Sequence, residues 1–217
     1  MAGTITRLAF QQHTADRVNV YLDGRFSFAL PALEAVRLQV GQFLDDAAIE
    51  CLQTIDAGQK AYDRAIRFLG YRPRSRAEVR CHLSAAGIDA ELVDATLARL
   101  AEQGYLDDTE FARFWVENRQ RFRPKGAQAL RQELRQRGVE GAAIESALAG
   151  IDPAESAYEA ARGWARRLTA LAQADPVAYR RKLSDFLLRR GFGYEITREV
   201  VTRLVRELQD GTAASDD

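Results

Sequence analysis

The side chains that most often serve as nucleophiles, general bases or metal ligands are few in this chain and widely scattered. Its 217 residues include two histidines, His13 and His82, and two cysteines, Cys51 and Cys81. Cys81 and His82 are neighbours on a predicted helix, where adjacent side chains diverge by about 100° and are poorly placed to hold one metal ion. We interpret them as a part-buried cysteine and a surface histidine, and we expect no metal and no cofactor.

Two further patterns have a chemical and a structural interpretation. Asp107-Asp108-Thr109-Glu110 has the carboxylates of a metal or acid–base site, but it also suits an N-cap with acidic first-turn residues before a helix near Phe111. Gly191-Phe192-Gly193 is too short for a nucleotide-binding fingerprint and lies where a helix must stop. The chain has neither a phosphate-binding loop nor a nucleophile elbow. We therefore expect no catalytic residues, and an enzyme such as a nuclease or a helicase accessory is the less favoured class.

The charge distribution favours a binding protein. The 31 basic and 31 acidic residues cancel, yet residues 1–58 carry 4 basic and 7 acidic groups, whereas residues 113–137 carry 8 and 2. Only three of the basic residues are lysines. Arginine suits bidentate phosphate contacts, although genome composition explains the bias equally well. With 47% apolar residues, no run long enough to span a bilayer, no signal region and no paired cysteine spacing, a soluble cytoplasmic protein is expected.

Basic clusters recur at comparable places along the helical part of the chain. Pro124 ends a helix and Gly126 loosens the following turn, so Arg121, Arg123 and Lys125 are expected on an exposed corner. Stacked helical units would align such corners into a stripe suited to a nucleic-acid backbone or an acidic protein groove. The alternative is that these charges only keep the protein soluble. The candidate binding residues are Arg72, Arg74, Arg76, Arg121, Arg123, Lys125, Arg131, Arg135, Arg180, Arg181, Lys182, Arg189 and Arg190.

The opening segment differs in kind from the rest. Residues 17–22 and 25–30 alternate polar with apolar side chains around Asp23-Gly24, the favoured pair for a type I′ hairpin turn. Residues 5–12 are expected to complete a three-stranded sheet. Pro31 is placed to open a short helix over 32–38, and Asp45 and Asp46 to cap another over 47–55.

An internal repeat follows from about Gln59. Helix stops are predicted at Gly70, Gly87, Gly104, Gly138, Gly150 and Gly191. An apolar i, i+4 pair, a glycine and an apolar residue recur with offsets of about 51 and 53 residues, as Val79, Leu83, Gly87 and Ile88; Leu130, Leu134, Gly138 and Val139; and Leu183, Leu187, Gly191 and Phe192. Downstream apolar pairs also coincide, at Leu97 and Leu100, Leu148 and Ile151, and Val201 and Leu204.

These patterns predict a mainly α protein with three tandem three-helix repeats forming an elongated, solenoid-like body and a small N-terminal β-hairpin or three-stranded sheet extension. The expected divisions are a β extension with short helices over 1–58, repeats over 59–106, 107–151 and 152–210, and a disordered tail over 211–217.

The chain resembles the bacterial RecX family, whose members regulate the RecA recombinase. The resemblance covers about residues 4–208, with a departure at residues 170–179, where the third repeat has a longer link. It lies in Ser75-Arg76-Ala77-Glu78-Val79-Arg80, Leu100-x-x-x-Gly104-Tyr105-Leu106-Asp107-Asp108-x-x-Phe111-Ala112, Gly126-x-x-x-Leu130-Arg131-Gln132-Glu133-Leu134-x-x-x-Gly138-Val139, Lys182-Leu183-x-x-Phe186-Leu187-x-Arg189-Arg190-Gly191-Phe192 and the N-terminal hairpin around Arg17–Phe28.

The resemblance implies three tandem three-helix repeats and a non-enzymatic regulator. It implies binding in the groove of the RecA–single-stranded DNA filament, which limits filament growth, ATP hydrolysis and strand exchange in recombination and DNA repair. The expected partners are RecA and single-stranded DNA, with double-stranded DNA as a further one, bound by a monomer without sequence specificity. A helical-repeat adaptor or DNA-binding accessory with another partner remains the alternative.

Overall fold

A computed structural model describes residues 2–11 and 16–213, with the side chains of 211–213 left out, so His13 lies outside the described part. Its strands are β1 (Gly3–Phe10), β2 (Arg17–Leu22), β3 (Arg25–Pro31) and β4 (Phe43–Leu44). Its helices are α1 (Ala32–Ala35), α2 (Asp46–Leu69), α3 (Arg76–Ser84), α4 (Ala90–Glu102), α5 (Asp108–Phe122), α6 (Ala127–Gln136), α7 (Gly141–Leu148), α8 (Pro153–Arg167), α9 (Thr169–Ala174), α10 (Pro176–Arg189) and α11 (Tyr194–Ala213).

The chain folds into two compact units. The first contains Met1–Arg72 and Val79–Leu106, and the second contains Pro73–Glu78 and Asp107–Asp217. Among residues 2–11 and 16–213, no helix is both long enough and apolar enough to cross a bilayer.

The N-terminal sheet is antiparallel, with the strand order β3-β2-β1-β4. The hairpin turn is confirmed, because Asp23 and Gly24 have φ angles of 46° and 81° as a type I′ turn requires. The prediction of three strands was incomplete, since Phe43 and Leu44 add a short edge strand beside β1. A two-residue strand has too little alternation to be recognised in a sequence. The inner face packs Ile5, Val20 and Leu30 against Ile49 of α2.

The helix that follows the sheet is longer than predicted. Asp45 accepts a hydrogen bond from the Ala48 N–H and caps α2 as expected, but α2 then continues without a break to Leu69. The boundary placed between residues 58 and 59 lies inside this helix. The first helix, in turn, is shorter than expected and ends at Ala35.

Each helical repeat has its own buried core, in which the predicted i, i+4 pairs are central. Val79, Leu83, Leu130, Leu134, Leu183 and Leu187 are all fully buried. The third repeat contains the additional short helix α9 in its longer link. Helix α11 continues to Ala213, so residues 211–213 of the predicted tail are helical, and residues 214–217 lie outside the described part.

The glycines that follow the three middle helices, and Gly104 after α4, adopt a left-handed backbone conformation. Gly87, Gly104, Gly138 and Gly191 have φ angles between 72° and 81°. Helix α2 ends at Gly70 as predicted, although this glycine has a right-handed φ of −62°. Gly126 has a different role from the loosened turn expected: a Cβ there would collide with the backbone of Gly191, so its lack of a side chain permits close approach of the second and third repeats.

Candidate functional site

The residues with possible catalytic chemistry have structural roles in the part of the chain that is described. Asp107 accepts hydrogen bonds from the N–H groups of Thr109 and Glu110, which confirms it as the N-cap of α5. Cys81 is exposed, and the half-buried His82 ring stacks on Phe68 with centroids 4.0 Å apart, the reverse of the burial predicted. Within residues 2–11 and 16–213, no three His, Cys, Asp or Glu side chains come together where they could hold a metal ion.

The structure brings basic residues of the second and third repeats together at one corner. The Gly126 N–H donates to the Arg190 carbonyl at 3.0 Å, and the Arg190 Nη1 donates to the Pro124 carbonyl at 3.1 Å. The loop between α5 and α6 therefore lies against the end of α10. We call the resulting group of Arg121, Arg123, Arg189 and Arg190 the basic corner.

The electrostatics of the basic corner favour an anion. Arg121, Arg123 and Arg189 are exposed, whereas Arg190 is half-buried with its guanidinium 4.5 Å from the centre of the Phe186 ring. Burial and then the positive charge of Arg123 lower the pKa of Arg190. A bound anion would relieve this repulsion, so the corner has the electrostatic character of a phosphate or carboxylate site.

Lys125 is not part of that exposed charge, contrary to the sequence prediction. It is half-buried and forms an ion pair with Glu133 of α6. The Glu133 Oε2 also accepts hydrogen bonds from the Trp115 Nε1 at 2.7 Å and the Arg119 Nε at 2.8 Å. Burial opposes ionisation of Glu133, but these hydrogen bonds outweigh it and lower the pKa of the carboxyl. The cluster joins α5 to α6.

Arg131 is likewise engaged within the second repeat. Its Nε and Nη2 donate to the two carboxylate oxygens of Glu145 at 2.7 and 2.8 Å, which ties α6 to α7. The hydrogen bond from Arg131 lowers the pKa of Glu145, and the positive charge of Arg135 contributes in the same direction. Arg135 itself is exposed one turn further along α6. Of these two candidate binding residues, Arg131 therefore has its charge neutralised within the repeat.

The other predicted residues lie before or at the start of α3 and near the start of α10. Arg76 is exposed at the start of α3, where its backbone N–H donates to the Asp108 Oδ1 at 2.8 Å. Burial raises the pKa of Asp108 despite that bond. Arg72 and Arg74 are half-buried before α3, in a segment that matches the α5–α6 loop by sequence. Arg180, Arg181 and Lys182 are exposed near the beginning of α10.

Sequence reasoning missed a contact that recurs once in each repeat. It joins the end of the first helix to the middle helix through a Phe68–His82 stack, an Arg119–Glu133 ion pair and a Trp164–Phe186 stack. The three second members, His82, Glu133 and Phe186, lie at matching positions, directly before the second apolar residue of each repeat motif. Comparing the repeats at the position directly before the second apolar residue would have found the pairing, although that position holds a histidine, a glutamate and a phenylalanine in turn.

These features define an α-helical repeat protein with an N-terminal β-sheet and a basic corner. Comparison with known families gives the same organisation. The RecX N-terminal domain matches residues 3–45, and the first, second and third RecX three-helix domains match residues 61–100, 107–148 and 154–201. The chain belongs to the RecX family, as its sequence resemblance predicts.

Individual relatives match over nearly the whole chain. The regulatory protein RecX of Bacillus subtilis is 28% identical over 210 residues, which cover 96% of this chain and 80% of that protein. The regulatory protein RecX of Lactobacillus delbrueckii subsp. bulgaricus is 32% identical over 213 residues, which cover 95% of this chain and 76% of that protein. Both relatives are named as regulators.

Solved structures agree with the fold. A crystal structure of a regulatory protein RecX matches with a TM-score of 0.75 and 28% identity, covering 91% of this chain and 98% of that one. RecX from Lactobacillus salivarius matches with a TM-score of 0.61 and 23% identity, over 69% of this chain and 97% of that one, and supports the fold alone.

Proposed function

We propose that this chain is a non-enzymatic regulator that binds the RecA–single-stranded DNA filament and limits its growth, ATP hydrolysis and strand exchange. The observation that carries the proposal is the match to all four RecX domains along the chain. The role of RecA follows from the family resemblance. The basic corner supplies a surface whose charge suits the DNA backbone or an acidic groove of the protein filament.

Within this proposal the thirteen basic candidates have different roles. Arg121, Arg123 and Arg189 are exposed and are the strongest binding residues, and Arg123 acts electrostatically on the half-buried Arg190. Lys125 and Arg131 have carboxylate partners and act mainly in holding the second repeat together. Sequence-independent backbone contact requires no base-reading side chains at this corner.

The proposal is tested by titrating the chain into RecA that hydrolyses ATP on single-stranded DNA. Hydrolysis should fall as the chain is added, and Arg121→Glu with Arg123→Glu should shift the inhibitory concentration upward at least tenfold. Arg198→Glu with Arg206→Glu is the matched control, because both arginines are exposed on α11 and the charge change is equal. Undiminished hydrolysis at saturating protein would instead indicate an adaptor for another partner.

A further inference from the structure

The outer face of the N-terminal sheet carries a row of three side chains with a distinct character. Arg7, Tyr21 and Phe26 occupy paired positions on β1, β2 and β3. The Tyr21 and Phe26 rings meet edge to face with centroids 6.0 Å apart, and the Arg7 guanidinium lies 5.3 Å from the centre of the Tyr21 ring. Phe26 is 59% exposed. The row is distant in sequence from the basic corner and has no part in the function proposed above.

Two irregularities in strand pairing create this row. The register between β1 and β2 shifts at Thr6, and the register between β2 and β3 shifts at Ser27. Strict alternation from the buried Ile5 and Phe28 would place Arg7 and Phe26 on the core side. One extra residue in β1 and one in β3 place Arg7 and Phe26 on the same face as Tyr21 instead. Both bulges therefore flank the same central tyrosine and direct its neighbours outward.

The rest of this face is flat enough for a planar ring. The next paired row consists of Ala9, Asn19 and Ala29, whose side chains are short. No large residue in this row rises beside the aromatic rings. A base stacked on Tyr21 and Phe26 would therefore meet only the short side chains of Ala9, Asn19 and Ala29 in the neighbouring row.

Charge on the sheet complements a nucleic-acid strand. The four strands contain Arg7, Arg17 and Arg25 and no acidic residue, although residues 1–58 are net acidic. Of the seven acidic residues, Asp16 and Asp23 flank β2, Asp45 caps α2, and the others lie on α1 and α2, at Glu34, Asp46, Glu50 and Asp56. Arg17 forms an ion pair with Asp56 at 2.6 Å, and Arg25 pairs with the inward-facing Leu22. Arg7 is therefore the exposed arginine at the end of the aromatic row.

We propose that this face binds single-stranded DNA by stacking unpaired bases on Tyr21 and Phe26, with Arg7 neutralising an adjoining phosphate. Exposed aromatic rings beside arginines form such platforms, and each stacked base contributes appreciably to affinity without regard to sequence. The choice of DNA as the strand rests on the function proposed above. The site would hold DNA separately from the basic corner.

The test measures binding of the full chain, without RecA, to fluorescein-labelled oligo(dT) of 20 nucleotides by fluorescence anisotropy. An abasic strand of equal length keeps the phosphates and lacks the bases, so the wild type should bind it at least tenfold more weakly. Equal affinity for the two strands would overturn the proposal with no variant needed. Because RecA is absent, a failure of filament regulation cannot affect this result.

Substitutions at Tyr21 and Phe26 test whether these two rings bind the bases. Tyr21→Leu with Phe26→Leu should weaken oligo(dT) binding at least tenfold and abolish the preference over the abasic strand. Tyr21→Phe with Phe26→Tyr keeps both rings and should bind within twofold of the wild type. Phe10→Leu is the matched control, because Phe10 is 68% exposed on β1 but pairs with the inward-facing Val18. A leucine variant that retained oligo(dT) binding yet lost inhibition of RecA would show a protein-docking face and overturn the proposal.

Discussion

The hydroxyl of Ser75 donates a hydrogen bond of 2.6 Å to the backbone carbonyl of Arg137. The matching positions one repeat later, Gly126 and Arg190, are also hydrogen bonded, this time from the Gly126 N–H over 3.0 Å. In both cases the acceptor carbonyl belongs to the residue before a glycine of positive φ. The same two positions thus connect successive repeats, although the donor group changes from a side chain to the backbone.

Ser75→Ala should lower the free energy of unfolding by about 1–2 kcal/mol, because a buried carbonyl loses its donor and α3 loses a cap. The Ser75 hydroxyl also accepts from the Glu78 N–H at 3.1 Å, and Glu78 accepts in return from the Ser75 N–H. Urea denaturation measures the change. Ser84→Ala, at an exposed position of the same helix, is the control, and equal values for the two variants would contradict the role assigned to Ser75.

Gly191→Ala should destabilise the protein more than Gly87→Ala, although both glycines have positive φ. A Cβ at Gly191 would lie 2.6 Å from the Ala129 Cβ, whereas nothing lies within 4 Å of a Cβ at Gly87. The backbone penalty of about 1–2 kcal/mol applies to both, and steric overlap of about 1–3 kcal/mol is added only at Gly191. Equal midpoints of urea denaturation would show that the repeats do not approach closely at this point.

Lys125→Glu should destabilise the fold, because Lys125 forms an ion pair with Glu133 and is not on an exposed corner as the sequence predicts. Glu133 would lose a partner and face a half-buried like charge, at a cost of about 2 kcal/mol. Arg121→Glu with Arg123→Glu should change stability by less than about 0.5 kcal/mol, because both side chains are exposed. Chemical denaturation compares the variants, and a neutral Lys125→Glu would contradict the role of the ion pair.

The hydrogen bonds to Glu133 predict a specific dependence of stability on pH. Because they lower its pKa in the folded state, the unfolded chain binds the proton more readily as the pH falls. The stabilisation is complete above the unfolded pKa of about 4.3 and disappears as the pH falls through the lower folded pKa. The advantage of the wild type over Glu133→Gln, measured by urea denaturation, should therefore shrink from pH 7 to pH 3. An advantage independent of pH would exclude ionisation of Glu133 as its source.

The repeats and the hairpin could be predicted from sequence because each has a strong local signal. The pairs Leu130–Leu134 and Leu183–Leu187 repeat with a fixed spacing, and Asp23-Gly24 specifies one turn type. The strand Phe43–Leu44 and the continuation of α2 past Gly58 depend on tertiary packing, which overrides local preference.

The candidate site was harder to predict, because the identity of a basic residue does not show whether it forms an ion pair with a carboxylate. Lys125 and Arg131 resemble Arg121 and Arg123 in a sequence, but only the first two have a carboxylate within reach across a helix pair. Similarly, the exposure of Phe26 depends on a bulge at Ser27, and no residue in the sequence indicates that the strand register shifts there. Both features depend on contacts between different helices or strands, which a local sequence pattern does not show.

The most direct test of the central claim is equilibrium binding of the chain to assembled RecA filaments. Cys51 and Cys81 are exposed, so a Cys81→Ser variant can be labelled with a fluorophore at Cys51 and followed by anisotropy. Filaments on single-stranded DNA, held with a slowly hydrolysed ATP analogue, should bind it saturably and more tightly than RecA or DNA alone. Affinity should fall steeply with salt and at least tenfold, or by about 1.4 kcal/mol, in Arg121→Glu with Arg123→Glu. Binding to filaments no tighter than to bare DNA would contradict the proposed function.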